Sequence, residues 1–130
     1  MATSNVTVSF PCPVEQLWQT VTDLTHTAWR SDLSRVEVLD ETHFVEHTKS
    51  GYATNFTVTA YEPLRWAFTM ENGNMSGSWE GIFETTEGGT QLHCIETVEA
   101  KHWWMCPFVP GYLKRQQRQY IDDLQRKLSG

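Results

Sequence analysis

Apolar and polar residues alternate through most of the first hundred positions, a pattern typical of strands with one buried face. The first such run centres on Val6, Val8 and Phe10. Later runs are separated by short segments with turn chemistry, such as Glu62-Pro63. Short links between consecutive strands indicate hairpins and therefore an antiparallel sheet. The predicted strands span residues 6–10, 35–39, 43–48, 53–61, 65–71, 76–85 and 91–100.

The helical period replaces this alternation in two segments. The first is a short amphipathic helix that ends near Asp23, and a loop or second short helical turn containing Trp29 follows it. Its apolar residues are Val14, Leu17, Trp18 and Val21. The second is a long C-terminal helix that begins near Gly111. One face of that helix carries Leu113, Gln117, Tyr120, Ile121, Leu124 and Leu128.

These elements predict one α+β domain over residues 1–130, with about seven strands, two short helices after the first strand and a long C-terminal helix. A meander of this length must curl because strands twist, and its concave face then needs a cover. Only the C-terminal helix is long and amphipathic enough to provide that cover. We therefore expect a curved antiparallel sheet that wraps the last helix and leaves a cavity between them.

Segments along nearly the whole chain match the pattern of a known superfamily in their order and spacing. The stretch from Val14 to Trp29 is similar to its first helix and the tryptophan that follows. Residues 62–66 look like its strand–proline–strand corner, and residues 79–92 look like its penultimate hairpin with a Gly-Thr turn. The chain thus resembles the START-like or helix-grip superfamily (SRPBCC), which includes polyketide cyclases, lipid-transfer domains and birch-pollen-type allergens. The resemblance implies a helix-grip fold with a cavity, but no particular ligand, because this fold carries many unrelated functions.

Charge and cysteine content narrow the expected partners and location. The formal net charge of −6 argues against nucleic acid and anionic membranes as partners, because both carry negative charge. No apolar run reaches the length of a membrane span, and no signal-peptide pattern is visible. Cys12, Cys94 and Cys106 are widely spaced and odd in number, which favours reduced thiols in a cytoplasmic protein. The sequence indicates no cofactor and leaves the oligomeric state unknown.

Motifs for metal binding or nucleophilic catalysis do not emerge from the sequence. His43 and His47 fall on one face of a predicted strand, about 13 Å apart, which is too far to share an ion. There is no G-x-S-x-G elbow. His93 and Cys94 are neighbours in a strand, so their side chains point to opposite faces. We predict no metal site.

Two polar residues fall on surfaces that the pattern places inside. Glu96 shares the inner face of the last strand with Leu92 and Cys94. A carboxylate in a partly dry cavity has a raised pKa and serves as acid, base or ligand anchor. Alternatively, the strand bulges or Glu96 pairs with an arginine at the cavity mouth. Gln117 interrupts the apolar stripe of the last helix and needs a partner, either a ligand, water or protein. Tyr120 contributes a phenol to this space or simply fills it.

Aromatic residues are abundant, with six Trp, six Phe and four Tyr, and several occupy inward positions. Six rings around one helix favour a pocket for an apolar or aromatic ligand. Together with the polar residues, they give a predicted cavity wall of Trp29, Phe56, Trp66, Phe68, Trp79, Phe83, Glu96, Gln117 and Tyr120.

Residues 103–109 form the densest apolar cluster and include the adjacent Trp103 and Trp104. We favour the interpretation that they plug one end of the curled sheet. The alternative is an exposed lid, or a docking surface for a partner or membrane.

Three hypotheses of function follow. The first is a module that binds a small hydrophobic or aromatic molecule, lipid-like or polyketide-like, in the internal cavity. The second is an enzyme of the cyclase or dehydratase kind, in which Glu96 carries a proton while Gln117 and Tyr120 orient the substrate. The third is a protein-interaction domain, similar to the chaperone-activator branch of the superfamily, with Trp103 and Trp104 as anchors.

Overall fold

A single antiparallel sheet of seven strands supplies most of the fold. The computed structural model of the chain describes residues 2–129. The strands are β1 (Ala2–Phe10), β2 (Leu33–Val38), β3 (His43–Thr48), β4 (Ala53–Glu62), β5 (Arg65–Glu71), β6 (Met75–Thr86) and β7 (Gly89–Ala100). The helices are α1 (Val14–Thr22), a 3₁₀ helix (Trp103–Phe108) and α2 (Val109–Ser129).

The strand order, β1-β7-β6-β5-β4-β3-β2, places β1 and β2 at opposite edges although they are neighbours in sequence. The chain from β2 to β7 is a continuous meander of hairpins, and β1 closes it by pairing with β7. The segment that contains α1 must therefore cross from one edge to the other. A register shift between Val58 and Ala60, where β4 pairs with β5, adds local bend and twist to the sheet.

The predicted curved sheet and long C-terminal helix are confirmed, and most strand boundaries agree within a residue or two. The prediction of a second short helix before β2 is wrong. α1 ends at Asp23 as predicted, but the chain then turns, because Oδ1 of Asp23 accepts hydrogen bonds from the backbone N–H of Thr25 at 2.9 Å and from the Thr25 hydroxyl at 2.6 Å. Such local side-chain bonds compete with helical hydrogen bonds and favour turns. β1 also begins earlier than predicted, at Ala2, since pairing with β7 stabilises its polar first residues.

Asp123 of α2 holds the loop between α1 and β2 against the helix. Its carboxylate is 2% exposed, and Oδ2 accepts both the backbone N–H of Ser31 at 2.8 Å and the Ser31 hydroxyl at 2.9 Å. Oδ1 forms an ion pair with Arg126. Gln119 donates to the Ser31 hydroxyl at 3.0 Å from the preceding turn of α2. Because Trp29 and Arg30 immediately precede Ser31, this contact fixes where their side chains lie.

Asp123→Ala is expected to lower the free energy of unfolding by about 2–3 kcal/mol, because it leaves the backbone N–H of Ser31 without its acceptor. Urea unfolding followed by circular dichroism measures the difference. Asp122→Ala is the matched control, since Asp122 is exposed on the same helix and its removal should change stability by less than about 0.5 kcal/mol. Equal effects of the two substitutions would contradict this role of Asp123.

Candidate ligand-binding cavity

A cavity of about 250 Å³ lies between the sheet and α2. Its wall comes from the inner faces of the strands, from the loop that carries Trp29 and Arg30, and from α2. Eight of the nine residues expected at this wall line it. They are Trp29, Phe56, Trp66, Phe68, Trp79, Glu96, Gln117 and Tyr120.

Phe83 is the predicted residue that the structure places elsewhere. It is 3% exposed and lies on β6, but its ring packs edge-on against Trp18 of α1, with 5.1 Å between the ring centroids. The alternation along β6 correctly predicted that Phe83 points inward. It did not reveal that α1 covers this part of the concave face, so that Phe83 belongs to solid core instead of the cavity wall.

The aromatic side chains in and around the cavity wall pack against one another. Phe44 stacks on Phe56 with 4.7 Å between ring centroids, and Phe68 stacks on Trp79 with 5.1 Å. Trp66 meets Phe68 edge-on at 5.0 Å. Neighbouring rings thus restrict each side chain, which favours a preformed pocket.

Gly81 provides room for the indole of Trp79. The two residues are on the same face of β6, and a Cβ at position 81 would lie 2.4 Å from Cη2 of Trp79. The indole therefore lies against the strand itself. A larger residue at position 81 would push the ring toward the cavity.

Glu96 lies on the inner face of β7, among the residues that line the cavity. Burial raises the pKa of Glu96 from 4.5 to about 7; the Gln117 amide and Arg30 act against that increase, and Glu46 adds to it. Arg30 directs its ion pairs to Asp32 and Glu46 instead of Glu96. Near neutral pH, Glu96 therefore exchanges a proton readily, which is the property required of a general acid or base.

Gln117 connects the helix to the edge strand. Its Oε1 accepts a hydrogen bond from the Ser4 hydroxyl at 2.5 Å, so the amide is oriented by β1. Its Nε2 is buried and has no hydrogen-bond partner among residues 2–129. The amide is near enough to lower the pKa of Glu96, but it does not complete a hydrogen bond of normal geometry to it.

A half-buried charge cluster in the cavity wall was not predicted. Arg30 pairs with Asp32 at 3.2 Å and with Glu46 at 3.4 Å, and its guanidinium lies over the Tyr120 ring, 5.0 Å from the centroid. Burial opposes the charge on Arg30, but Glu46 and Asp32 outweigh it and hold the pKa of Arg30 above its usual value. For Glu46, burial prevails over the attraction of Arg30 and raises the pKa. Alternation along β3 offered a signal, because Glu46 shares a face with the buried Phe44.

Three N–H donors of the cavity-lining residues are buried without a partner in the described part of the chain. They belong to Trp29 Nε1, Trp66 Nε1 and Gln117 Nε2. A buried donor without an acceptor costs about 1–3 kcal/mol. Donors of this kind indicate a site that accepts oxygen atoms from a bound molecule or from water.

The aromatic turn, as we call the 3₁₀ helix Trp103–Phe108, does not plug the sheet, and our favoured interpretation is wrong. Trp103 is 84% exposed, Trp104 58% and Phe108 71%. This end of the fold is closed by smaller side chains, with Val98, Val109 and Leu113 in a separate buried cluster. That packing leaves the three larger rings outside.

No group of three His, Cys, Asp or Glu side chains in residues 2–129 is arranged to hold a metal ion. His43 interacts with Asp40 at 2.9 Å and His47 with Glu37 at 3.3 Å, both at the exposed β2–β3 hairpin. Burial and the nearby Glu96 raise the pKa of the Cys94 thiol to about 12. Cys94 therefore stays protonated and is not a reactive nucleophile.

Comparison with known families identifies the chain. The sequence model of a family described as "Polyketide cyclase / dehydrase and lipid transport" matches residues 1–129. The chain belongs to this family. The resemblance to the START-like superfamily is thereby confirmed, and the seven-stranded sheet around a long C-terminal helix is its helix-grip fold. No curated protein matches the sequence at a significant level.

Several solved structures share this fold at low sequence identity. A START superfamily protein from Mycobacterium smegmatis is 13% identical with a TM-score of 0.86, over 98% of this chain and 97% of its own. A Mesorhizobium loti protein is 18% identical with a TM-score of 0.82, over 98% and 97%. DynU16, from the dynemicin biosynthetic locus, is 19% identical with a TM-score of 0.78, over 98% of this chain and 47% of its own. Identities this low show the fold alone.

We expect the raised pKa of Glu96 to appear as a pH dependence of stability. The native state binds this proton more tightly than the unfolded chain, so its stabilisation is complete below pH 4.5 and is lost as the pH rises through about 7. Glu96→Gln carries no such charge. Relative to wild type, the variant should therefore gain up to about 3 kcal/mol of unfolding free energy between pH 4 and pH 8.

Urea unfolding of both proteins across this pH range measures the effect, and Glu99→Gln serves as the control. Glu99 is exposed on the same strand. Parallel pH profiles for wild type and Glu96→Gln would show that Glu96 is not buried as described.

Proposed function

We propose that this protein binds a small, largely aromatic and uncharged molecule that carries acceptor oxygens, such as a ketone, in the cavity between the sheet and α2. The observation that carries the proposal is the cavity lined by packed aromatic rings and by three residues with unpartnered N–H donors. Flat rings favour flat apolar ligands, and the donors favour carbonyl or hydroxyl oxygens. The volume of about 250 Å³ is just below the usual range for drug-sized ligands, which favours a compact ligand.

The charges of the cavity wall favour an uncharged ligand over a carboxylate. One guanidinium, that of Arg30, is already paired with two carboxylates, Asp32 and Glu46, and Glu96 adds a third titratable acid. An anionic ligand would have to approach this acidic cluster, and the described residues that line the cavity include no second Lys or Arg to receive it. Such a desolvated and unpaired charge is costly.

Three probes of similar size test this proposal: 2-acetylnaphthalene, naphthalene and 2-naphthoate. At pH 8 we expect saturable binding of the ketone, followed by quenching of tryptophan fluorescence. The ketone should bind roughly 3- to 10-fold more tightly than naphthalene, because it gives an acceptor to a buried donor. It should bind at least about tenfold more tightly than 2-naphthoate, because the carboxylate meets acidic groups.

Gly81→Leu is the matched cavity variant, since the new side chain would displace the indole of Trp79 toward the ligand. It should weaken binding of the ketone, whereas Gly88→Leu, in an open turn, should not. Absence of saturable binding for every probe would refute the binding function. Tighter binding of 2-naphthoate would refute only the preference for uncharged ligands.

A second candidate function, proton transfer on a bound carbonyl compound, rests on Glu96. Its carboxylate would take a proton from the carbon next to the carbonyl, and the electron pair would move to the carbonyl oxygen to give an enolate. A neighbouring N–H, such as that of Gln117, would stabilise the oxygen. The family to which the chain belongs is described as including cyclases and dehydrases, enzymes that use general acid–base chemistry.

Exchange of the methyl protons of 2-acetylnaphthalene in D₂O, followed by NMR, tests this chemistry. The wild-type protein should accelerate exchange, with a rate that rises as Glu96 loses its proton near pH 7. Glu96→Gln should lower the catalysed rate by about 100-fold or more while still binding the ketone. Glu99→Gln should exchange like wild type, and equal rates for both variants would exclude Glu96 as the base.

A further inference from the structure

The aromatic turn presents three large rings to solvent on six residues. Trp103, Trp104 and Phe108 are 84%, 58% and 71% exposed, and the other four tryptophans of the chain are buried or half-buried. Pro107 and the 3₁₀ geometry keep the turn short, and Met105 is its half-buried residue. A cluster of exposed aromatic side chains on one short turn is typical of an interaction surface.

The charge around the aromatic turn is opposite in sign to that of the rest of the chain. Residues 100–121 contain four of the ten lysines and arginines and none of the sixteen acidic residues. Lys101 lies two residues before the turn and pairs with Glu71 at 3.1 Å. Lys114, Arg115 and Arg118 are exposed on the first turns of α2, immediately after it.

This local charge matters more than the net charge of −6. At physiological ionic strength, charges farther than about 8 Å from a surface are largely screened from it. Within the first two turns of α2, Lys114 and Arg115 lie close enough to the aromatic turn to act on the same surface, because a helix rises only about 1.5 Å per residue. The expectation that the whole protein avoids anionic membranes therefore does not apply to this side of the molecule.

The aromatic turn also adjoins one end of the cavity. Val109 and Leu113 pack with Val98 in the small cluster that closes this end, and Met75 packs against that cluster. Leu113, Val98 and Met75 also line the cavity, as does Tyr112. A surface that engaged the turn would thus lie next to the layer of side chains that separates the cavity from solvent.

We propose that the aromatic turn and the basic first turns of α2 dock the protein peripherally on a lipid surface that carries anionic headgroups. The tryptophan rings would enter the headgroup boundary, where their apolar faces are buried and their N–H groups remain hydrated. Lys114, Arg115 and Arg118 would face the anionic headgroups. No helix in residues 2–129 is suited to spanning a bilayer, and this mode of binding needs none.

Flotation with vesicles tests the proposal on the full chain. Vesicles of phosphatidylcholine and phosphatidylglycerol at 7:3 should retain the protein at low salt, and pure phosphatidylcholine vesicles should retain at least about tenfold less. Retention should fall as NaCl is raised, because salt screens the basic residues. Tryptophan emission should shift to shorter wavelength with anionic vesicles, since the two most exposed tryptophans are in the turn.

Two variants separate the contribution of the aromatic rings to vesicle binding from that of the basic residues. The triple substitution W103S/W104S/F108S removes the rings, and K114Q/R115Q/R118Q removes the charges; each should lower retention by at least about tenfold. V38S/L39S/Y52S is the control for exposed apolar residues, and R35Q/K49Q/K127Q is the control for exposed charges on other surfaces. Both controls should bind vesicles like wild type. All four variants should still bind 2-acetylnaphthalene in the cavity. Loss of vesicle binding can therefore be distinguished from loss of ligand binding.

Three results would overturn the proposal. Equal retention by charged and uncharged vesicles would exclude charge-assisted docking, and full retention of W103S/W104S/F108S would exclude the aromatic turn. The third is a lack of vesicle binding together with self-association in analytical ultracentrifugation that this variant abolishes. That result would identify a second copy of the chain as the occupant of the surface.

Discussion

Seven strands curl around one helix in this protein, and a single helix cannot fill the concave face that they form. The space must be occupied by large side chains or left open. Both solutions occur here, because α1 covers the part near Phe83, whereas the region facing Tyr120 and Gln117 remains a cavity. Aromatic residues suit this geometry, since each ring extends far from its strand and is held by contacts with other rings. The position of the cavity therefore depends on how far α1 and α2 each reach over the sheet.

The loop between α1 and β2 is the element that gives the cavity its polar side. It must cross from one edge of the sheet to the other, and Asp123 holds it to α2 through Ser31. The same loop brings Arg30 into contact with Glu46 on β3. The contact between Asp123 and Ser31 stabilises the fold, and it thereby also determines which charged side chains line the cavity. Burial of Arg30 between two carboxylates leaves the wall acidic, which is the physical basis for expecting an uncharged ligand.

Charge and exposed aromatic rings are distributed unevenly over the outer surface. Acidic residues are spread over the strands, the loops, α1 and the C-terminal half of α2, whereas the junction between β7 and α2 is basic and carries exposed rings. The cavity end near Leu113 lies beside this junction. Docking through the exposed rings would therefore place a lipid surface next to the side chains that close this end of the cavity. This proximity connects the two proposals without making either depend on the other.

The sequence by itself determined the strands, the two α-helices and the inward positions, because periodicity in strands and helices reports which side of each element is buried. It placed Glu96 and Gln117 at the cavity through the same reasoning, and the observed cavity contains both. Only the tertiary structure decided the rest. Asp23 turned a predicted second helix into a turn, the packing of α1 removed Phe83 from the wall, and a few small residues left Trp103 and Trp104 outside. The ion pair between Arg30 and Glu46 depends on the fold of the loop between α1 and β2, whose sequence shows no hydrophobic periodicity. Apart from the local bonds between Asp23 and Thr25, each deciding contact joins residues from different elements, and a pattern along one element carries no information about its partner.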